Sequence, residues 1–150
     1  MEWFVRAFLK ASLCWLGLGV TLGVAMAVHP AWVIYRTAHL HMALLGFVAM
    51  MIFGVAYHVI PRFTGHALHN RRLGTIHWWL ANVGLAALVT GFLTRPHWGA
   101  AVTPALAAGG LLAAAGAYAF IFNIWRTIDG RTALRPAPAP HADVRSLPVQ

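Results

Sequence analysis

The stretch AWVIYRTAHLHMALLGFVAMMIFGVAYHVIP, residues 31–61, contains one arginine, three histidines and no acid. Its apolar run from about 33 to 60 exceeds the ~20 residues that an α-helix needs to cross a bilayer. Similar runs occupy about 7–28, 76–94 and 101–125. The sequence therefore predicts an all-α membrane protein, a bundle of four transmembrane helices over residues 1–132. Composition agrees: 60% of the residues are hydrophobic and 9% charged, whereas a soluble domain carries about a quarter charged residues. A bundle of this kind uses the chain and leaves no room for a second domain. Residues 133–150, with Pro-Ala-Pro-Ala-Pro near their start, read as a flexible extended tail.

The three acids, Glu2, Asp129 and Asp143, all lie outside the apolar runs, and the net charge is +8. Because the cations flank apolar segments, they indicate topology and contact with anionic lipid rather than nucleic-acid binding. With the N-terminus inside, the inner side of a four-span chain carries Arg6, Lys10, Arg62, Arg71, Arg72, Arg126, Arg131, Arg135 and Arg145, and the outer side Arg36 and Arg95. That asymmetry predicts both termini inside. Ala25-Met26-Ala27 imitates a signal-peptide cleavage site. The uncharged run from Ala11 to Val28 argues instead for a retained helix. Cys14 is the single cysteine, so the chain has neither an internal disulfide nor the motif for covalent haem attachment.

Nine histidines accompany those three acids. His39 and His41 lie about 9–12 Å along the second helix from its outer end, at a rise of about 1.5 Å per residue. Ionisable groups at that depth are costly and suggest function. A neutral imidazole ligates iron, copper or zinc. A lone buried histidine, by contrast, is commonly a hydrogen-bonded packing residue. At about 100° per residue, positions i and i+2 point about 200° apart, so the two cannot chelate one metal. Each serves a different face, or one of them only packs. Gly46, Met50 and Phe53 follow His39 on its face, and Leu45, Val48 and Ile52 follow His41. These columns suit a flat macrocycle, and they equally suit a lipid-facing stripe. Haem fits better than a bare metal because no cluster of ligands is visible at this depth. Arg36, one turn above His39, is a candidate partner for haem propionates or a snorkelling interfacial cation. His58 lies about 26 Å farther along, near the inner surface, where His66, His69 and His77 also cluster, either as interfacial hydrogen-bonding residues or as an inner metal or quinone-adjacent site. His29, His97 and His141 read as surface residues.

The run from His39-Leu40-His41 through Tyr57, with Ile60-Pro61-Arg62-Phe63-Thr64-Gly65, resembles the tenth helix of haem–copper oxidase large subunits. It is most similar to the C-family oxidases and the related nitric oxide reductases. His77-Trp78-Trp79-Leu80-Ala81-Asn82-Val83-Gly84 resembles the start of the family's eleventh helix. The chain thus looks like the family's last four helices standing alone. The resemblance implies that His39 binds an active-site haem and His41 a low-spin haem, from opposite sides of one helix. It also implies a bacterial cytoplasmic membrane. The family's copper-ligating histidines belong to helices with no counterpart here, and no acid in a span could supply a glutamate ligand or a carboxylate proton path.

These readings converge on a membrane-bound b-type cytochrome that holds haem b, without copper, through His39 and His41, with Gly46 and Arg36 at the cofactor. Its role would be electron transfer or gas binding, with a cytochrome c or a quinone as redox partner. The alternatives are oxygen or nitric oxide reduction at an open haem, a non-catalytic accessory or assembly subunit, and a metal-handling membrane protein. Because His39 and His41 point apart, a second axial ligand is expected from another copy of the chain. A homotrimer would rebuild the family's ring of helices, and a dimer sharing one haem is the competing arrangement.

Overall fold

A computed structural model describes residues 2–130; the proposed tail at 133–150, with His141, lies outside the described residues. Among the described residues, the regular structure is helical. The elements are α1 (Trp3–Val28), a 3-10 turn (Pro30–Tyr35), α2 (Arg36–His41), a π-helical stretch (Met42–Ala49), α3 (Met50–Thr64), α4 (Arg71–Trp98), a 3-10 turn (Gly99–Val102) and α5 (Thr103–Ile128).

The expectation of four separate spans is corrected. Three helical segments are long and apolar enough to cross a membrane: Trp3–Val28, Pro30–Thr64 and Arg71–Ile128. The reason lies at Gly99–Val102. There a 3-10 turn, with Gly99 at φ +54°, stands where the sequence suggested a loop, so the chain stays helical from Arg71 to Ile128. The placement of both termini on the inner side was argued from four separate spans and falls with them. The protein is a multi-pass membrane protein, with lipid as the natural neighbour of its outer surfaces.

Within the third segment, α4 and α5 run antiparallel. Gly84 lies against Gly109 and Ala113, Gly91 against Leu106, and Gly116 against His77 and Ala81. A Cβ on Gly84 would sit 2.6 Å from the Ala113 nitrogen and 2.8 Å from the Gly109 carbonyl oxygen. The two backbones therefore touch only because both positions are glycine, the usual way that membrane helices gain packing contacts. Gly19 lies in ordinary contact with Met42, and Gly23 leaves room for the His39 ring. Gly110 has open space around its Cβ position.

The apolar runs at about 33–60 and 76–94 stop short of Pro61 and Pro96, yet α3 continues to Thr64 and α4 to Trp98. Both prolines lie in the last turn of a helix, where each removes one backbone donor without ending the helix. Termination comes instead from Gly65, whose φ of +70° is the left-handed conformation that caps a helix. Asn70 starts α4 by accepting from the Leu73 amide at 3.1 Å.

The core is small and aromatic. Phe4, Phe8, Met50 and Leu85 are fully enclosed, and Tyr57 and Phe120 pack with them. Large apolar side chains stay exposed elsewhere: Leu111 is 72% accessible and Val28 66%. Such a surface suits lipid or other helices and is out of place in water.

Candidate haem site

α2 is regular, so His39 and His41 diverge as their spacing demands. His39 turns to α1, where its Nδ1 lies 2.9 Å from the Gly19 carbonyl oxygen. Its ring fills the space left by Gly23; a Cβ there would meet Cε1 at 3.0 Å. His41 turns to α4, with its ring centroid 4.7 Å from that of Phe92. Its Nδ1 lies 2.8 Å from the Thr37 carbonyl oxygen, one turn back. A carbonyl oxygen only accepts, so each Nδ1 is a protonated nitrogen, and in the neutral imidazole each Nε2 keeps its lone pair. Neither Nε2 has a hydrogen-bond partner among the described residues. Ligating histidines are typically held this way, by a carbonyl on the remote nitrogen. The His39 bond to α1 would also suffice for a histidine that only packs.

Beside His41 lies a pocket of about 270 Å³ lined by Ile34, Thr37, Phe92, Arg95 and Pro96. Thr37 and Phe92 are the two residues that hold the imidazole. Arg95 was counted only as a topology signal, yet it shares this pocket. Its spacing from Phe92, three residues along one helix face, was the available clue. Arg36 is exposed and makes no ion pair among the described residues. Nearby, the Tyr35 hydroxyl and His97 Nε2, 3.0 Å apart, tie the 3-10 turn to the end of α4.

Gly46 has a different setting from the one expected of a clearance residue. It is buried, and a Cβ there would come within 2.6 Å of the Trp15 Cβ and 3.2 Å of Leu85. It lets α1 approach the second segment. Gly46 also belongs to the π-helical stretch, which begins right after His41. Wide turns of this kind concentrate at functional sites. Along the His41 column, Leu45, Val48 and Ile52 are exposed. That column faces lipid or another protein surface.

The histidines read as an inner-surface group do not gather. His77 is fully buried, with Nδ1 3.1 Å from the Tyr57 hydroxyl and its ring among Phe8, Phe53 and Phe120. Its Nε2 is enclosed without a partner among the described residues. His69 meets Phe122, and His66 lies against Gly130. His58 Nδ1 accepts from Arg62 at 3.0 Å. Among the described residues, no three His, Cys, Asp or Glu side chains form a group able to hold a metal ion.

No protein-family model matches the chain. It is similar to the Cbb3-type cytochrome c oxidase subunit CcoN1 of Stutzerimonas stutzeri, 29% identical over 163 residues that cover 89% of this chain and 34% of that protein. It is also similar to a putative cytochrome c oxidase subunit 1-beta of Streptomyces coelicolor, at 37% over 111 residues, 62% of this chain and 18% of that one. Cytochrome c oxidase subunit 1 of Rhodobacter capsulatus is 33% identical over 70 residues, 43% of this chain and 13% of its own length. The chain thus spans about a third or less of the relatives it matches. All three come from bacteria, consistent with a place in a bacterial inner membrane. Over part of their length, and at the level of the superfamily, this chain is a distant relative of the haem–copper oxidase large subunits.

Proposed function

We propose that the chain is a membrane-bound b-type cytochrome module in which His41, and His39 on the opposite face, are axial ligands of haem. The observation that carries this reading is the pair of imidazoles at membrane depth, each fixed by a carbonyl at Nδ1 and each keeping Nε2 unbonded. The distant relationship to oxidase large subunits supports it. Haem b, when bound, supplies reversible one-electron chemistry at its iron. The chain's own residues supply the rest. Thr37 and Gly19 hold the two rings in the ligating tautomer, Phe92 walls His41, and Arg95 and Arg36 offer positive charge to propionates.

The pocket at His41 is too small to enclose a macrocycle, and the adjoining Leu45, Val48 and Ile52 are exposed. The remaining wall and the second axial donor would come from another copy of the chain. A chain that covers 34% of the Stutzerimonas subunit favours three copies, and a dimer is the outcome to be tested against it. Native mass spectrometry with haem retained separates the two, and a haem-loaded monomer would refute shared ligation.

A visible spectrum of the detergent-purified protein tests the function. Low-spin b-type bands that are insensitive to carbon monoxide and nitric oxide are the expected result for electron transfer. A spectrum shifted by either gas would redirect the reading to gas binding or reduction. Absence of a Soret band would end it.

A further inference from the structure

At the far end of the second segment from His41, an open cleft of about 330 Å³ is lined by Glu2, Val5, Tyr57, His58, Pro61, Arg62, Ala67, Leu68 and Arg71. Its polar residues come from the start of α1, the last turns of α3 and the start of α4. Those are the positions where three apolar segments begin or end, the depth of lipid headgroups. Among the described residues the charge there is unbalanced: Arg62 and Arg71 face a single acid, Glu2, which pairs with Arg71 Nε at 3.1 Å.

Arg62 is held in place by its own helix. Its Nη1 donates to His58 Nδ1 at 3.0 Å and to the His58 carbonyl oxygen at 2.6 Å. A guanidinium has five N–H donors, so Nη2 and Nε stay available to an anion. Because Arg62 can only donate, His58 Nδ1 is the accepting nitrogen, and a neutral His58 carries its proton on Nε2 as a further donor. Tyr57, whose hydroxyl is taken by His77, lines the cleft together with the apolar Val5, Pro61 and Leu68.

We infer that this cleft seats the phosphate headgroup of an anionic phospholipid, gripped by Arg62 and Arg71 with its glycerol end against Val5, Pro61 and Leu68. Basic pockets between membrane helices bind such headgroups. An electron-carrying quinone fits the placement less well. The cleft is roughly 25 Å along the helix from His41, at about 1.5 Å per residue, too far to serve a haem there directly. The inference does not depend on haem binding.

The test is native mass spectrometry of delipidated, detergent-solubilised protein titrated separately with phosphatidylglycerol, phosphatidylcholine and inorganic phosphate. Phosphatidylglycerol should be retained in preference to phosphatidylcholine. R62Q and R71Q should each weaken its retention about fivefold, the worth of one cation near an anionic surface. R72Q, which removes a charge at the same end but outside the cleft, should retain it like wild type. Inorganic phosphate should not displace the lipid. If R62Q does not fold, R71Q carries the test, because that side chain is 76% exposed. Equal retention of the two lipids, undiminished binding by R71Q, or displacement by inorganic phosphate overturns the proposal.

Discussion

His41 and His77 occupy two apolar helices of one small protein, yet their surroundings are opposite. His41 is half-buried, held by one backbone carbonyl, and stands beside a pocket that contains an arginine. His77 is wholly enclosed by Phe8, Phe53, Tyr57 and Phe120, with one nitrogen on a phenol and the other without a partner among the described residues. The first arrangement leaves a lone pair where a ligand can reach it. The second places an imidazole where only its packing can matter. Depth in an apolar segment therefore does not separate a candidate ligand from a structural histidine. Access at the second nitrogen does.

Substitutions at the two positions should break the protein in different ways. His77→Ala opens a cavity in the aromatic core and should cost roughly 2–5 kcal/mol, the usual range for deleting a large core side chain. Thermal melting in detergent would show the loss, while any haem spectrum of the folded fraction should stay as in wild type. A lost Soret band with unchanged melting would reverse the two roles.

Next in size is Asn123→Ala. The Asn123 amide clamps the loop before α4, accepting from the Asn70 amide and donating to the Asn70 carbonyl, both at 2.9 Å. Its removal takes the Asn70 amide's partner away, while the Asn70 carbonyl keeps the Gly74 amide at 3.3 Å, and should cost about 1–3 kcal/mol. Hydrogen exchange should speed up at residues 69–71 first; uniform acceleration along α5 would point to a global effect instead. Tyr57→Phe removes only the hydroxyl bonded to His77 and should cost about 0.6 kcal/mol, the mean for side-chain hydrogen bonds between membrane helices. A much larger drop in melting temperature would mean that the phenol holds more than this one bond. His97→Ala, at an exposed site, should change stability by less than about 0.5 kcal/mol and leave the spectrum as it was. A shifted Soret band in that variant would bring His97 into the cofactor site.

The membrane character was legible because it is compositional: 60% hydrophobic residues and no acid inside the apolar runs admit few other readings. The divergence of His39 and His41 was legible too, because α2 is a regular helix and angular spacing within it is arithmetic. Segment count was not. Arg95-Pro96 looked like a stop, but helical conformation passes through it, and the 3-10 turn at Gly99–Val102 joins α4 to α5. The π-helical stretch was equally hidden, since its i→i+5 bonds depend on backbone packing rather than on residue type. That stretch is why Gly46 meets Trp15 instead of simply continuing a column below His39. His77 is grouped by the sequence with His58, His66 and His69 at the inner surface. Its enclosure depends on Phe8 and Phe120, more than forty residues away on either side, and no local pattern reports such contacts.

The account rests on His41 as a haem ligand, and a three-way comparison of Soret absorbance per chain tests that most directly. Wild type, His41→Ala and His77→Ala would be purified side by side, each checked for folding by circular dichroism. The predicted result is a b-type Soret band in wild type, retained by folded His77→Ala and lost or strongly reduced in folded His41→Ala. A folded His41→Ala variant that keeps the wild-type band contradicts the account.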